Sequence, residues 1–400
     1  MSQIAGSAAL AAAVTVGAFV IQDILGQTTA WGGVASATVT MGTAFMSQML
    51  ARLMNVRGRR NGLQVGYLLA IFGGFIAGYG AETKTLWIFL FGLFVFGNGQ
   101  ASNLLSRYAA ADLATTNERG RAMSRILFAS TFGAVFGPLL IRPAEQAGVH
   151  WFGWGQYTGP WIFAGVFFLT SLINTTLRLR PDPLEVAGRL NRQAEVGATS
   201  RLFSDAIRAI RMSGDAQIAV ITMVISQMAM VAVMTMTPVH LRLHGHETVS
   251  AYIISLHIAG MYAFSPLVGR FADRQGRMTT IQVGALVLMG ATVLSSLAGD
   301  SPVLLFPALW MLGVGWSFGL IGGSSLLIDS IDEKIRVRVQ GAADLTMSFC
   351  GGLAGFSSGF IRKAVGYHVL SNIGTVLAGM LLVVVMMRKS SMSNETVGQS

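Results

Sequence analysis

The residues with the most chemistry to offer lie between Met223 and Met261. Met223, Gln227, Met230 and Met234 recur at spacings of three, four and seven, and His257 and Met261 stand four apart, so each set shares one helix face. Met230-x-x-x-Met234 and His257-x-x-x-Met261 are therefore two pairs of soft or borderline ligands, each pair one turn apart. Thioether sulfur is neutral and soft and selects Cu(I), imidazole accepts either copper state, and a set without a carboxylate suits Mg, Ca and Mn poorly. Plainer readings stand beside this one. Methionine packs like leucine and fills gaps, and with 21 Met in the chain such spacings arise by chance. An ionisable group near mid-bilayer is functional by default, the alternative being a neutral histidine hydrogen-bonded to a neighbouring helix. With hydropathic midpoints near residues 229 and 258 on antiparallel neighbours, Met230 is expected level with His257, where three thioethers and one imidazole converge.

The surroundings of these residues are membrane-like. The chain has 400 residues, 52% hydrophobic and 12% charged, with mean hydropathy +0.58, about half the charge of a soluble domain. Twelve apolar runs are long enough to span a bilayer: roughly 4–25, 30–53, 62–80, 85–106, 122–144, 158–178, 215–241, 248–268, 279–298, 302–328, 340–361 and 367–387. The first is read as a retained helix and not a signal peptide, because no Lys or Arg precedes it. The net charge of +10 does not point to nucleic acid: 23 of the 28 Lys and Arg fall in the even-numbered loops and the tail, which places both termini in the cytoplasm. The single cysteine, Cys350, excludes an intramolecular disulfide and is expected to be a buried small apolar residue.

The expected organisation is a six-helix half over residues 1–180, a cytoplasmic linker over 181–213, a second half over 214–389 and a polar tail over 390–400. Within the linker, Leu202, Phe203, Ala206, Ile207 and Ile210 form an apolar stripe beside Arg201, Arg208 and Arg211, the pattern of a helix lying on the membrane surface. The halves repeat. Gly58 and Gly276, and the Gly133/Gly137 and Gly351/Gly355 pairs, are offset by 218; Asp112 and Asp329, and Arg119-x-Arg121 and Arg336-x-Arg338, are offset by 217. A constant offset over four features means duplication, and duplicated halves are expected to rock about a site at the midplane.

Gly269-Arg-Phe-Ala-Asp273-Arg274-Gln-Gly276-Arg277 resembles the loop signature of the major facilitator superfamily. The resemblance covers essentially the whole chain and implies an all-α fold of twelve transmembrane helices in two pseudo-symmetric halves. It also implies that loop arginines pair with an acidic residue ending the second helix that follows. Arg59 with Asp112, and Asp273, Arg274 and Arg277 with Asp329, would then lock one access state. Asn55 stands where Asp273 stands in the second copy, which implies a weaker first lock. Met230, Met234, His257 and Met261 further resemble the signature of the CcoA-like copper importers, a branch that supplies copper for cytochrome c oxidase assembly in bacteria; Arg107-Tyr-Ala-Ala-Ala-Asp112-Leu is also similar to that branch. A sister branch shares the scaffold and takes up riboflavin.

The expectation is a monomeric copper importer of the bacterial inner membrane, with copper as cargo and no cofactor. Its partners would be the copper ion, the bilayer and cytoplasmic copper-handling proteins, and no nucleic acid. His240 and His244, with His246, would hand metal inward, and Met223 would extend the ligand face; solvated histidines and core packing are the plain alternatives. Asp23 is expected in the hydrated interfacial zone. Rivals are an importer of an organic molecule such as riboflavin, held by His257 and Tyr262, a multidrug exporter, and a copper sensor, which the short tail disfavours. Gly133-x-x-x-Gly137-Pro138 resembles part of the antiporter motif of drug exchangers, but Ser124, Ile141 and Arg142 replace its flanking glycines, and Leu93 to Ala101 lack the buried Arg of that class. Close helix packing accounts for the pair. No catalytic constellation and no phosphate-binding glycine loop occurs, so neither enzyme chemistry nor ATP on this chain is expected.

Overall fold

The computed structural model describes residues 1–25, 32–137, 140–188, 190, 199–299 and 301–397. Pro138, linker residues 191–198 and tail residues 398–400 lie outside them. Regular structure among the described residues is helical: α1 (Ser2–Leu25), α2 (Gly32–Arg57), α3 (Arg59–Glu82), α4 (Leu86–Asp112), α5 (Arg119–Phe136), α6 (Ile141–Phe152), α7 (Thr158–Arg178), α8 (Pro183–Val186), α9 (Thr199–Met212), α10 (Gly214–Leu243), α11 (Glu247–Tyr262), α12 (Ser265–Gln275), α13 (Arg277–Leu297), α14 (Leu305–Ser330), α15 (Arg336–Val365) and α16 (Tyr367–Val397), with a short 3-10 turn at Thr116–Glu118. Eight helical segments among the described residues are long and apolar enough to cross a membrane, and α5 with α6 makes a ninth if that bent pair is one span.

Among the described residues each of the twelve apolar runs falls largely on helix, but two of them are broken. The fifth is two helices, α5 and α6, set at 53°. The eighth divides into α11 and α12 at Pro266. Proline has no N–H for the carbonyl four residues back, here that of Tyr262. The Ser265 hydroxyl donates to that carbonyl instead, at 2.6 Å. Hydropathy averages over such a break, which is why the run looks continuous.

The chain forms two compact units. One comprises Met1–Ala114, Ile126–Arg208 and Asp332–Phe356; the other comprises Thr115–Arg125, Ala209–Ile331 and Ser357–Ser400. In the first, small residues bring helices together at backbone distance. A Cβ on Gly73 would lie 2.3 Å from the Phe96 nitrogen, and one on Gly133 would lie 2.1 Å from the Ile4 carbonyl. The Gly133/Gly137 pair thus seats α5 on α1, a packing role. Trp161 fills the centre, edge-on to Phe89 and Phe96 at 5.3 and 5.7 Å. In the second unit, α14 is the buried helix against which α10, α11 and α13 lie.

Candidate functional site

Helix α14 sets the depth of the methionines and the histidine. Along α10, Met223 and Ser226 meet the backbone of Gly323 and Gly319, and Gln227 accepts from the Trp316 indole at 2.7 Å. Along α11, the His257 ring bonds the Leu309 carbonyl, and a Cβ on Gly313 would lie 2.3 Å from the His257 carbonyl and 2.8 Å from the Met261 nitrogen. Stepping by turns along these seams brings Met230 level with Met261, and Met234 level with His257. The expected pairing of Met230 with His257 is corrected by one turn. The hairpin explains it: α10 and α11 are joined only by residues 244–246, and Gly245 takes the left-handed φ of 77° there. Residues equally far from that pivot share a depth, whereas the hydropathic midpoints ignored the turn.

His257 is wholly buried, and Met230 and Met261 are 4% and 7% exposed; Met234 is half-buried. Nδ1 of His257 donates to the Leu309 carbonyl at 2.8 Å, because a carbonyl can only accept. Nε2 is buried and has no partner among the described residues. One ring nitrogen is thus anchored and the other carries a free lone pair, the arrangement in which histidines bind metals or accept from a polar ligand. No group of three or more His, Cys, Asp or Glu among the described residues is placed to hold a metal, so a metal here would depend on the thioethers.

The secondary candidates are already engaged. Met223 packs on Gly323, and the Ser324 hydroxyl reaches its sulfur at 3.9 Å. His240 donates from Nε2 to the Gly299 carbonyl at 2.8 Å and stacks on Tyr367 at 4.4 Å. His244 is exposed and donates from Nδ1 to the His240 carbonyl at 2.7 Å. Asp23 pairs with Lys84 at 3.3 Å, both side chains well exposed. Cys350 is half-buried, not wholly buried, because that face of α15 is only partly covered. Tyr262 lies edge-on to Trp316 at 5.8 Å.

The charged residues expected to act as locks form two clusters. In the first unit, Arg59 is wholly buried and forks onto both oxygens of Asp112, at 2.8 and 3.4 Å, and donates to Gln340 of α15 at 2.6 Å. In the second, Asp329 receives Arg119 and Arg277, the latter at 3.1 Å. Arg277 also bonds Asp273 at 2.7 Å, and Asp273 accepts the backbone N–H groups of Gly120 and Arg121 at 2.9 and 2.8 Å, capping α5. Arg274 is exposed. Asn55 implied a weaker first lock, yet the Arg59–Asp112 pair is the more buried of the two.

One pair was missed from the sequence. Arg107 and Asp344 form a wholly buried ion pair at 2.5 Å, with Tyr108 donating toward the same carboxylate oxygen at 3.5 Å and the guanidinium donating to the Tyr108 oxygen at 3.0 Å. In the sequence Arg107 stands among the basic residues of the even-numbered loops and in the segment similar to the copper-importer branch, with no acidic partner assigned. The available signal was Asp344 itself, an acid inside an apolar run.

A family model described as Major Facilitator Superfamily matches residues 3–356. The chain belongs to that superfamily. As a superfamily member it is an all-α, multi-pass secondary transporter and not an enzyme. It is 36% identical over 387 residues to the uncharacterized MFS-type transporter YdeG of Bacillus subtilis, covering 96% of this chain and 89% of the relative. It is 26% identical over 360 residues to the riboflavin transporter RfnT of Brucella anthropi, covering 87% and 84%. The proton:xylose symporter XylE shares the fold, with a TM-score of 0.75 at 15% identity over 96% of this chain and 94% of that one.

Proposed function

We propose that this transporter imports copper across the bacterial cytoplasmic membrane by alternating access, with both termini in the cytoplasm and the copper supplied to cytochrome c oxidase assembly. The observation that carries the reading is His257, whose Nδ1–H is fixed to the Leu309 carbonyl while the buried Nε2 has no partner among the described residues. Met261 lies one turn along the same helix, Met234 is level with the imidazole and Met230 with Met261. Neutral, soft donors favour copper over harder ions and hold it weakly enough to release. The ion pairs at Asp112 and Asp329 act in this scheme as locks that hold one access state, and copper-handling proteins receive the metal inside. The test is radioactive copper uptake into cells carrying the wild type or His257→Ala with Met230→Leu, at equal membrane levels. Uptake by the wild type alone supports the site. No uptake by either protein removes copper as cargo, and equal uptake by both moves the path elsewhere.

A second reading is import of an organic ring system such as riboflavin. The RfnT relative favours it, and Tyr262, Trp316 and Gln227 would supply stacking and hydrogen-bonding groups, the last two about two turns along from His257. Complementation of a riboflavin auxotroph grown on limiting vitamin separates the two: rescue supports this reading and failure beside active copper uptake dismisses it.

A further inference from the structure

A cavity of about 700 Å³ opens in the first unit where the α2–α3 turn meets the segment from the end of α7 to α8. Three arginines line it: Arg57, the last residue of α2; Arg60, in the first turn of α3; and Arg180, just beyond α7. Nε of Arg60 is buried and has no hydrogen-bond partner among the described residues. Its acids are Asp182 and Glu185. Asp182 is spent on the backbone: one carboxylate oxygen accepts the N–H groups of Arg59 and Leu184 at 3.2 and 2.9 Å, and the other accepts that of Arg60 at 2.7 Å. Those bonds pin the two segments together, and the three arginines line the space between them with Glu185. Gly58, with φ of 92°, makes the close approach possible, since a Cβ there would lie 2.4 Å from the Asp182 carboxylate.

We propose that this cavity binds a phosphoryl group, and that its source is the headgroup of an anionic phospholipid. Guanidinium forks match phosphate oxygens, and a concave site with several of them outcompetes a flat surface. The cavity lies where the apolar span of α3 begins, at headgroup level, and Val56 and Leu190 complete its wall with apolar surface suited to the glycerol region. By the distribution of Lys and Arg, this is the cytoplasmic leaflet, where anionic lipids meet basic pockets between helices. None of these residues belongs to the Met/His site, so the proposal is independent of the cargo.

The full-length protein in detergent micelles is titrated with dioctanoyl phosphatidylglycerol, dioctanoyl phosphatidylcholine and inorganic phosphate, and bound ligand is counted by native mass spectrometry. Saturable binding of the glycerol lipid, with the choline lipid and free phosphate much weaker, is expected. Each arginine near an anionic headgroup contributes about fivefold, so Arg57→Gln with Arg60→Gln and Arg180→Gln should weaken binding on the order of a hundredfold. Arg57 and Arg180 are exposed, so the double variant of those two alone keeps the fold if the triple variant does not, and should still lose more than tenfold. Equal affinity for wild type and variants overturns the site. Phosphate bound as tightly as the glycerol lipid overturns the lipid source.

Discussion

At the scale of single residues, the decisive fact is how a buried polar atom is satisfied. His257 could be recognised from the sequence because a histidine in an apolar run is rare and expensive. Which nitrogen was free could not, because that depends on a carbonyl 52 residues away. If Nε2 holds the cargo, protonation occupies its lone pair, and copper uptake should fall as external pH is lowered from neutral into the acid range. Initial rates across that range check this, and a flat profile counts against it. Arg107 and Asp344 give a second prediction. Removing one member of a buried ion pair strands the other, so Arg107→Met should cost about 3–5 kcal/mol, and adding Asp344→Leu should recover most of it. Thermal unfolding of the purified variants reads both; a double variant no more stable than the single one would refute the stranded-charge account.

Between elements, the seams are set by glycines. Gly313 stands where a Cβ would press on the α11 backbone at His257 and Met261. Backbone atoms cannot swing aside, so Gly313→Ala must part α11 from α14 and lengthen the bond between His257 and Leu309. Overpacking of this kind costs about 1–3 kcal/mol. Transport should therefore fall with a modest loss of stability, while Gly359→Ala, whose added Cβ meets no described atom within 4 Å, should leave transport unchanged and cost no stability. Cargo uptake and melting temperature for the two variants make the comparison. The broken eighth span belongs at this scale too. Pro266 was visible in the sequence, but only the structure gives Ser265 the task of satisfying the freed carbonyl.

Across the molecule, the compact units do not follow the duplication. Residues Asp332–Phe356 of the second repeat pack within the first unit, and Thr115–Arg125 of the first repeat pack within the second. The N-terminal six helices therefore carry Arg59 and Arg107, whose partners Gln340 and Asp344 come from α15. A fragment of residues 1–198 expressed alone leaves the Arg107 guanidinium buried without its carboxylate. It should accumulate poorly and be proteolysed, and co-expression with residues 199–400 should restore it. Equal membrane levels with and without the second fragment would show that α15 adds nothing to the first unit.

What the sequence determined by itself was whatever depends on local composition or on comparison of the chain with itself. Hydropathy marked all twelve apolar runs, the offset of 217 to 218 residues revealed the duplication, and the loop signature pointed to the superfamily. The ligand types were legible for the same reason, since thioether and imidazole are properties of residues and their spacing. Tertiary structure alone decided the one-turn register between α10 and α11, the Arg107–Asp344 pair and the use of Asp182 as a cap. Each depends on which distant backbone comes within hydrogen-bonding distance, and a one-turn shift between two helices leaves hydropathy unchanged while altering every contact between them.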